Sequence, residues 1–197
     1  ATIDNQTGGN ATTNYIVNAN STLTTNGTMS VYYGTIDGTS GTDAGGTVTI
    51  GGNLTIHGNI GATNATSNFT ISEWNSLTLA SNVSTFNSDN MTLSDNTVLN
   101  FGNVTSGYNR GSSETLTFAS NITMGSNSTI NVGNGTTLNG NIYGAGTLNV
   151  LGNFTSTGSI GAAQVDGADF ITSGLEQINI SKGNTFTLNN NATATRM

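Results

Sequence analysis

His57 is the only histidine of the chain and there is no cysteine, so the side chains that most often serve as nucleophile, base or metal ligand near neutral pH are almost missing. Without a second histidine or any thiol, neither a catalytic triad nor a zinc site of the usual ligand set can be assembled. The basic residues are Arg110, Lys182 and Arg196, far apart in sequence. An enzyme acting on acidic polysaccharides needs carboxylates clustered with such cations. A glycosidase needs only two carboxyl groups about 5 to 10 Å apart. The nearest pairs are Asp166 with Asp169 and Asp37 with Asp43, each in a glycine-rich turn where a solvated aspartate is the ordinary occupant. The segment Asp166 to Asp169 also offers oxygen ligands to calcium, but it lacks the glycine-rich nonapeptide with aspartates at fixed spacing. The expectation is a protein that is not an enzyme, with no catalytic residue, no metal and no cofactor.

Composition points to a neutral polar surface. Only 7% of residues are charged, against about a quarter in ordinary globular domains. Asn, Thr, Ser and Gly must therefore cover the outside. A net charge of -7 excludes nucleic acid as the expected partner, because phosphate binding needs clustered Lys and Arg. It disfavours an anionic membrane surface as well. No run approaches the roughly 18 to 20 apolar residues of a membrane span, and no basic-then-apolar signal segment is present. Freedom from cysteine suits an exported protein, and a chain opening on Ala1 is expected to be a processed form or a piece of a longer one.

What must position these side chains is a repeat. The segment GTVTIGGNLTIHGNIGA (Gly46 to Ala62) returns a hundred positions later as GTLNVLGNFTSTGSIGA (Gly146 to Ala162), without a gap. Nine positions are identical, where roughly two are expected by chance in this composition. The glycines stay, and apolar positions stay apolar: Val48 becomes Leu148, Ile50 becomes Val150 and Leu54 becomes Phe154. His57 becomes Thr157, so the lone histidine is not restated where its backbone is. Trp74 and Phe69 would suit a sugar platform, but their counterparts Leu175 and Phe170 favour packing in the core or at a coil edge.

The candidate strands read Gly or Ser, Asn, apolar, Thr or Ser, apolar, as in GNLTI (Gly52 to Ile56), SNFTI (Ser67 to Ile71), DNMTL (Asp89 to Leu93) and SNITM (Ser120 to Met124). This period of two marks half-buried strands, and no helical period appears. β-branched and aromatic residues at strand spacing also argue against disorder. Asn and Gly tracts between them turn the chain. An in-register repeat favours stacked coils over a sandwich, so the predicted fold is all-β, a parallel β-solenoid with an internal repeat of about 100 residues. At about 20 residues per coil it would hold roughly nine or ten coils near 45 Å long, the repeat covering about five of them. Asn residues at equivalent corners are expected to stack and satisfy backbone groups. Residues 44–197 are assigned to the solenoid. Residues 1–43 fit it least well and are read as an irregular N-terminal segment, a cap or an assembly strand.

The stretches TLNGNIYGAGTLNVLGNFTSTGSIG (Thr137 to Gly161) and INISKGNTFTLNNN (Ile178 to Asn191) resemble the passenger regions of autotransporter adhesins and related surface proteins of Gram-negative bacteria. The resemblance covers about residues 44 to 195. It implies a right-handed parallel β-helix, exported without cysteine, displayed extracellularly at the cell surface and engaged in adhesion or self-association. The family's passengers are usually longer and are followed by a membrane barrel, which this sequence does not contain.

The functional expectation is thus a structural or adhesive solenoid, a homo-oligomer or filament with a host-cell or neighbouring-cell surface ligand. The N-terminal strand formers Tyr15, Ile16 and Val17 are the candidate assembly residues, adding to a neighbour's sheet edge. An alternative is ice or another repeating surface, read from the pairs Thr47/Thr49, Thr115/Thr117 and Thr185/Thr187, which look too few and too unevenly spaced for a continuous rank. Sixteen Asn-x-Ser/Thr triplets run from Asn5 to Asn191 and would accept glycans on outward positions.

Overall fold

The computed structural model describes residues 2–3, 13–25, 31–41, 45–101, 115–162, 165–166, 169–170 and 174–196. Among them there is no helix, and parallel strands stack into a β-solenoid of about seven turns. Each turn visits three faces in order. Face I begins with Tyr15–Val17, which pairs with Ile36–Gly38. Face II contains Thr22–Thr25, then Thr47–Ile50, then Thr66–Ile71. Face III contains Val31–Tyr32, Leu54–Ile56 and Ser76–Leu79. The long strand Leu116–Val132 runs through all three faces, with a register shift at the corner between Met124 and Ser128.

The alternation read from the sequence decides what lies inside. In Thr47–Ile50, Ser76–Leu79 and Val98–Phe101 every second side chain is buried and its neighbours look outward. Parallel register then stacks like on like: Leu54, Leu77, Leu99, Ile130, Leu148 and Ile178 form one inward column of face III. Each such side chain contributes about 1.5–3 kcal/mol by leaving water. Mid-rod, aromatic rings from all three faces meet. Phe86 and Phe118 of face I stack at 4.2 Å between centroids, Phe69 of face II meets Phe86 edge-on at 5.0 Å, and Phe101 of face III lies 4.4 Å from Phe118.

The coils are fewer and less uniform than the expected nine or ten of about 20 residues. Equivalent asparagines of face III, joined by hydrogen bonds, are separated by 31 residues between Asn100 and Asn131 but by 18 between Asn131 and Asn149. Only the strands must match to keep the ladder, so a corner can lengthen freely. Longer stretches between described strands consume chain without adding described coils.

The hundred-residue repeat is also not about five coils. Thr47–Ile50 lies on face II, whereas its counterpart, residues 147–150, lies on face III in the columns of Leu54 and Leu77. Leu54–Ile56 lies on face III, whereas Phe154–Ser156 lies on face I. The repeat therefore spans four turns and one further face. What it restates is a strand, corner and strand module, which any of the three faces accepts because each needs the same inward alternation. The glycines show the same local path: Gly61 and Gly161 take φ of 61° and 69°, a left-handed conformation open to glycine without a Cβ penalty.

Tyr15–Val17, Thr22–Thr25 and Val31–Tyr32 make one turn, on which the short strand Thr2–Ile3 stacks through Thr24 and Thr25, and Val17, Leu23 and Tyr32 join the continuous core. The Tyr32 hydroxyl donates to the carbonyls of Thr13 and Thr35. Burial, with Tyr15 nearby as a lesser cause, holds its pKa well above the ordinary tyrosine value.

Candidate functional site

The corner asparagines act locally. Asn53 Oδ1 accepts the amide N–H of Ser76 at 2.9 Å in the next coil, and its repeat counterpart Asn153 accepts that of Thr185 at 2.9 Å. Asn59 and Asn141 do the same for Ser84 and Ser159, at 2.9 and 2.8 Å. A strand entering a sheet leaves an N–H unpaired at its first residue, and the carboxamide one coil below supplies the acceptor. Asn53 and Asn153 do this from the position just before the strands Leu54–Ile56 and Phe154–Ser156.

Outward positions differ from face to face. On face III the amides of Asn100, Asn131, Asn149 and Asn179 form a chain, each Nδ2 donating to the preceding side chain at 2.8–3.0 Å and the first ending on Thr78 Oγ1. These groups satisfy one another and offer little to a ligand. Each link contributes about 0.5–1.5 kcal/mol net. The ladder runs mid-strand and not only at corners, where Asn127 and Asn96 make a longer contact of 3.4 Å.

Face II carries two outward columns in strict register. Thr24, Thr49, Thr70, Thr92 and Thr123 form one, and Thr22, Thr47, Asn68, Asn90 and Asn121 form the other. The five hydroxyls of the first column make no side-chain hydrogen bond among the described residues. Beyond them Asn141 bonds Asn121 Oδ1 at 3.2 Å and Tyr143 Oη at 2.9 Å, which closes the pattern. Face I has a single comparable column, Thr85, Thr117, Thr137, Thr155 and Thr187, beside an open groove of about 470 Å³ lined partly by Thr115, Asn153 and Thr185. The sequence pairs Thr47/Thr49 and Thr115/Thr117 thus lie on different faces. These pairs form no continuous rank, as expected; the continuous column is one of single threonines, which unequal coil lengths hide in the sequence and register restores in space.

His57 stacks on Tyr33 at 4.4 Å between ring centroids, with Nδ1 3.1 Å from Asn82 Oδ1. Asp37 Oδ1 accepts the Thr63 amide at 2.9 Å, a corner-capping role. Asp166 and Asp169 pair across a short antiparallel bridge, and their side chains, like Asp43 and Arg110, lie outside the described residues. No group of three or more metal-ligating side chains occurs among the described residues. Among the described residues no helix is long and apolar enough to cross a membrane. Tyr15, Ile16 and Val17 form the first strand of face I: Val17 is buried, and Ile16 points outward, 68% exposed.

Phe69 is fully buried, as expected, but Trp74 is 73% exposed and belongs to no core. It sits in the corner after Ile71 with φ of 63°, where the next coils place Asn96 at 58° and Asn127 at 56°. Asn tolerates this conformation, whereas a bulky side chain is strained there by about 1–2 kcal/mol. Trp74→Asn is expected to raise stability by about 1 kcal/mol, read as a higher urea midpoint at unchanged slope.

Comparison with protein-family models, curated protein sequences and solved structures found no match to this chain.

Proposed function

We propose that the chain is a non-enzymatic extracellular solenoid, a structural shaft with an adhesive surface of the kind the autotransporter resemblance implies, which self-associates into a surface filament or forms part of an adhesin. Trp74 carries the adhesive reading. It keeps a large aromatic surface in water at a backbone position where the stacked corners hold asparagine, and strain of that sort is retained where a contact needs it. Its partner is a ligand on a host or neighbouring cell. Labelled protein is expected to bind such cells, and Trp74→Asn to weaken binding while raising the melting temperature. Unchanged binding by that variant would sink the adhesive role.

Self-association rests on the edge of Tyr15–Val17, which among the described residues pairs only with Ile36–Gly38. An unpaired parallel edge accepts a strand of a second copy, and Lys on an edge opposes this. Negative-stain images should show filaments for the wild type and dispersed particles for Ile16→Lys. Particles alone in both would refute assembly.

A further inference from the structure

We infer that face II is a binding surface for ice, a function independent of Trp74 and of the strand edge at Tyr15–Val17. The argument is geometric. Along each column the side chains repeat at the strand spacing of about 4.8 Å, and between columns, two residues apart, at about 6.6 Å. Register holds across five consecutive coils, from Thr22 and Thr24 to Asn121 and Thr123, so the repeat extends in two dimensions. Hexagonal ice presents oxygen atoms at comparable repeats along two directions of a plane.

The chemistry agrees. Both columns are neutral donors and acceptors with no charged member, and the hydroxyls of Thr24, Thr49, Thr70, Thr92 and Thr123 are not engaged by other described side chains. Threonine is stiff about χ1, so its hydroxyl and methyl are held in place before water arrives, and ordering the face costs little. Beneath the columns lie Val48, Phe69, Met91 and Ile122, all buried, which fix the sheet from behind. A glycan chain repeats in one direction only, nucleic acid calls for cations, and a protein partner calls for apolar anchors. Face III is self-bonded, and face I has a single column beside a groove. Face II alone among the three sets a second ordered column beside the unengaged hydroxyls of Thr24, Thr49, Thr70, Thr92 and Thr123.

The test uses the unglycosylated full chain, because Asn68, Asn90 and Asn121 each open an Asn-x-Thr triplet on this face. Ice-crystal shaping, thermal hysteresis and incorporation of labelled protein into growing ice are measured for the wild type, Thr70→Tyr and Thr92→Tyr, with Thr137→Tyr on face I as the control. All three activities are expected in the wild type and in Thr137→Tyr, and their loss is expected in both face II variants at unchanged circular dichroism. If Thr70→Tyr fails to fold, the more exposed Thr92→Tyr decides alone. Absence of ice activity in the wild type would overturn the proposal, as would its retention by Thr92→Tyr or equal loss in Thr137→Tyr. Adsorption to crystalline cellulose or chitin that Thr92→Tyr abolishes, without any effect on ice, would overturn it in favour of a polysaccharide face.

Discussion

Truncating Phe118 to alanine is expected to lower stability by about 3–5 kcal/mol. Its ring is fully buried, stacks on Phe86 and touches Phe101, so the vacancy opens where face I and face III meet across the core. The surrounding strands cannot collapse into it without breaking register with the coils on both sides. Denaturant unfolding followed by far-ultraviolet circular dichroism measures the loss. A solenoid is held together by nearest-neighbour contacts, so a weakened central coil is also expected to broaden the transition as the two ends unfold separately. A loss under about 1 kcal/mol, below the usual range for such truncations, would show that the aromatic cluster does not hold the turns together.

Gly58→Ala should be nearly as harmful, by about 3 kcal/mol or more, for a different reason. A Cβ at Gly58 would fall on the carbonyl oxygen of Gly34 in the coil below, and one at Gly158 would meet that of Gly140 in the same way. Both obstacles are backbone, so neither can turn aside as a side chain would. The coils would have to separate, at the cost of neighbouring ladder bonds. Gly183→Ala is the matched control: its φ of 85° penalises alanine, but nothing lies within 4 Å of the added atom. Its cost should stay near about 1–2 kcal/mol. Equal melting temperatures for the Gly58 and Gly183 variants would refute the close-approach account.

Much of this architecture is legible in the chain itself. The alternation in Thr47–Ile50 and Leu54–Ile56 dictates which side chains turn inward, and a strand needs no distant information to show it. Asn53 and Asn153 betray their capping role by recurring at the same place in the repeat, just before Leu54–Ile56 and Phe154–Ser156. Glycines at 58, 61, 158 and 161 mark the corners because no other residue fits the backbone there. With one histidine and no cysteine, the chain holds neither a His-paired thiol nor a zinc site with thiolate ligands.

Other features exist only once the coils are stacked. Trp74 looks in sequence like its later counterpart Leu175, yet Leu175 is buried in a strand while Trp74 stands exposed on a left-handed corner. The strands around Val48 and Leu148 are near copies, yet one lies on face II and the other on face III. Thr24, Thr49, Thr70, Thr92 and Thr123 have no constant spacing along the chain, but share one column because parallel pairing fixes register strand by strand while corners absorb any excess length. Local alternation thus determines what is inside and what is outside. Which outward side chains become neighbours depends on how many residues each corner takes up, a nonlocal sum that only the closed turns resolve.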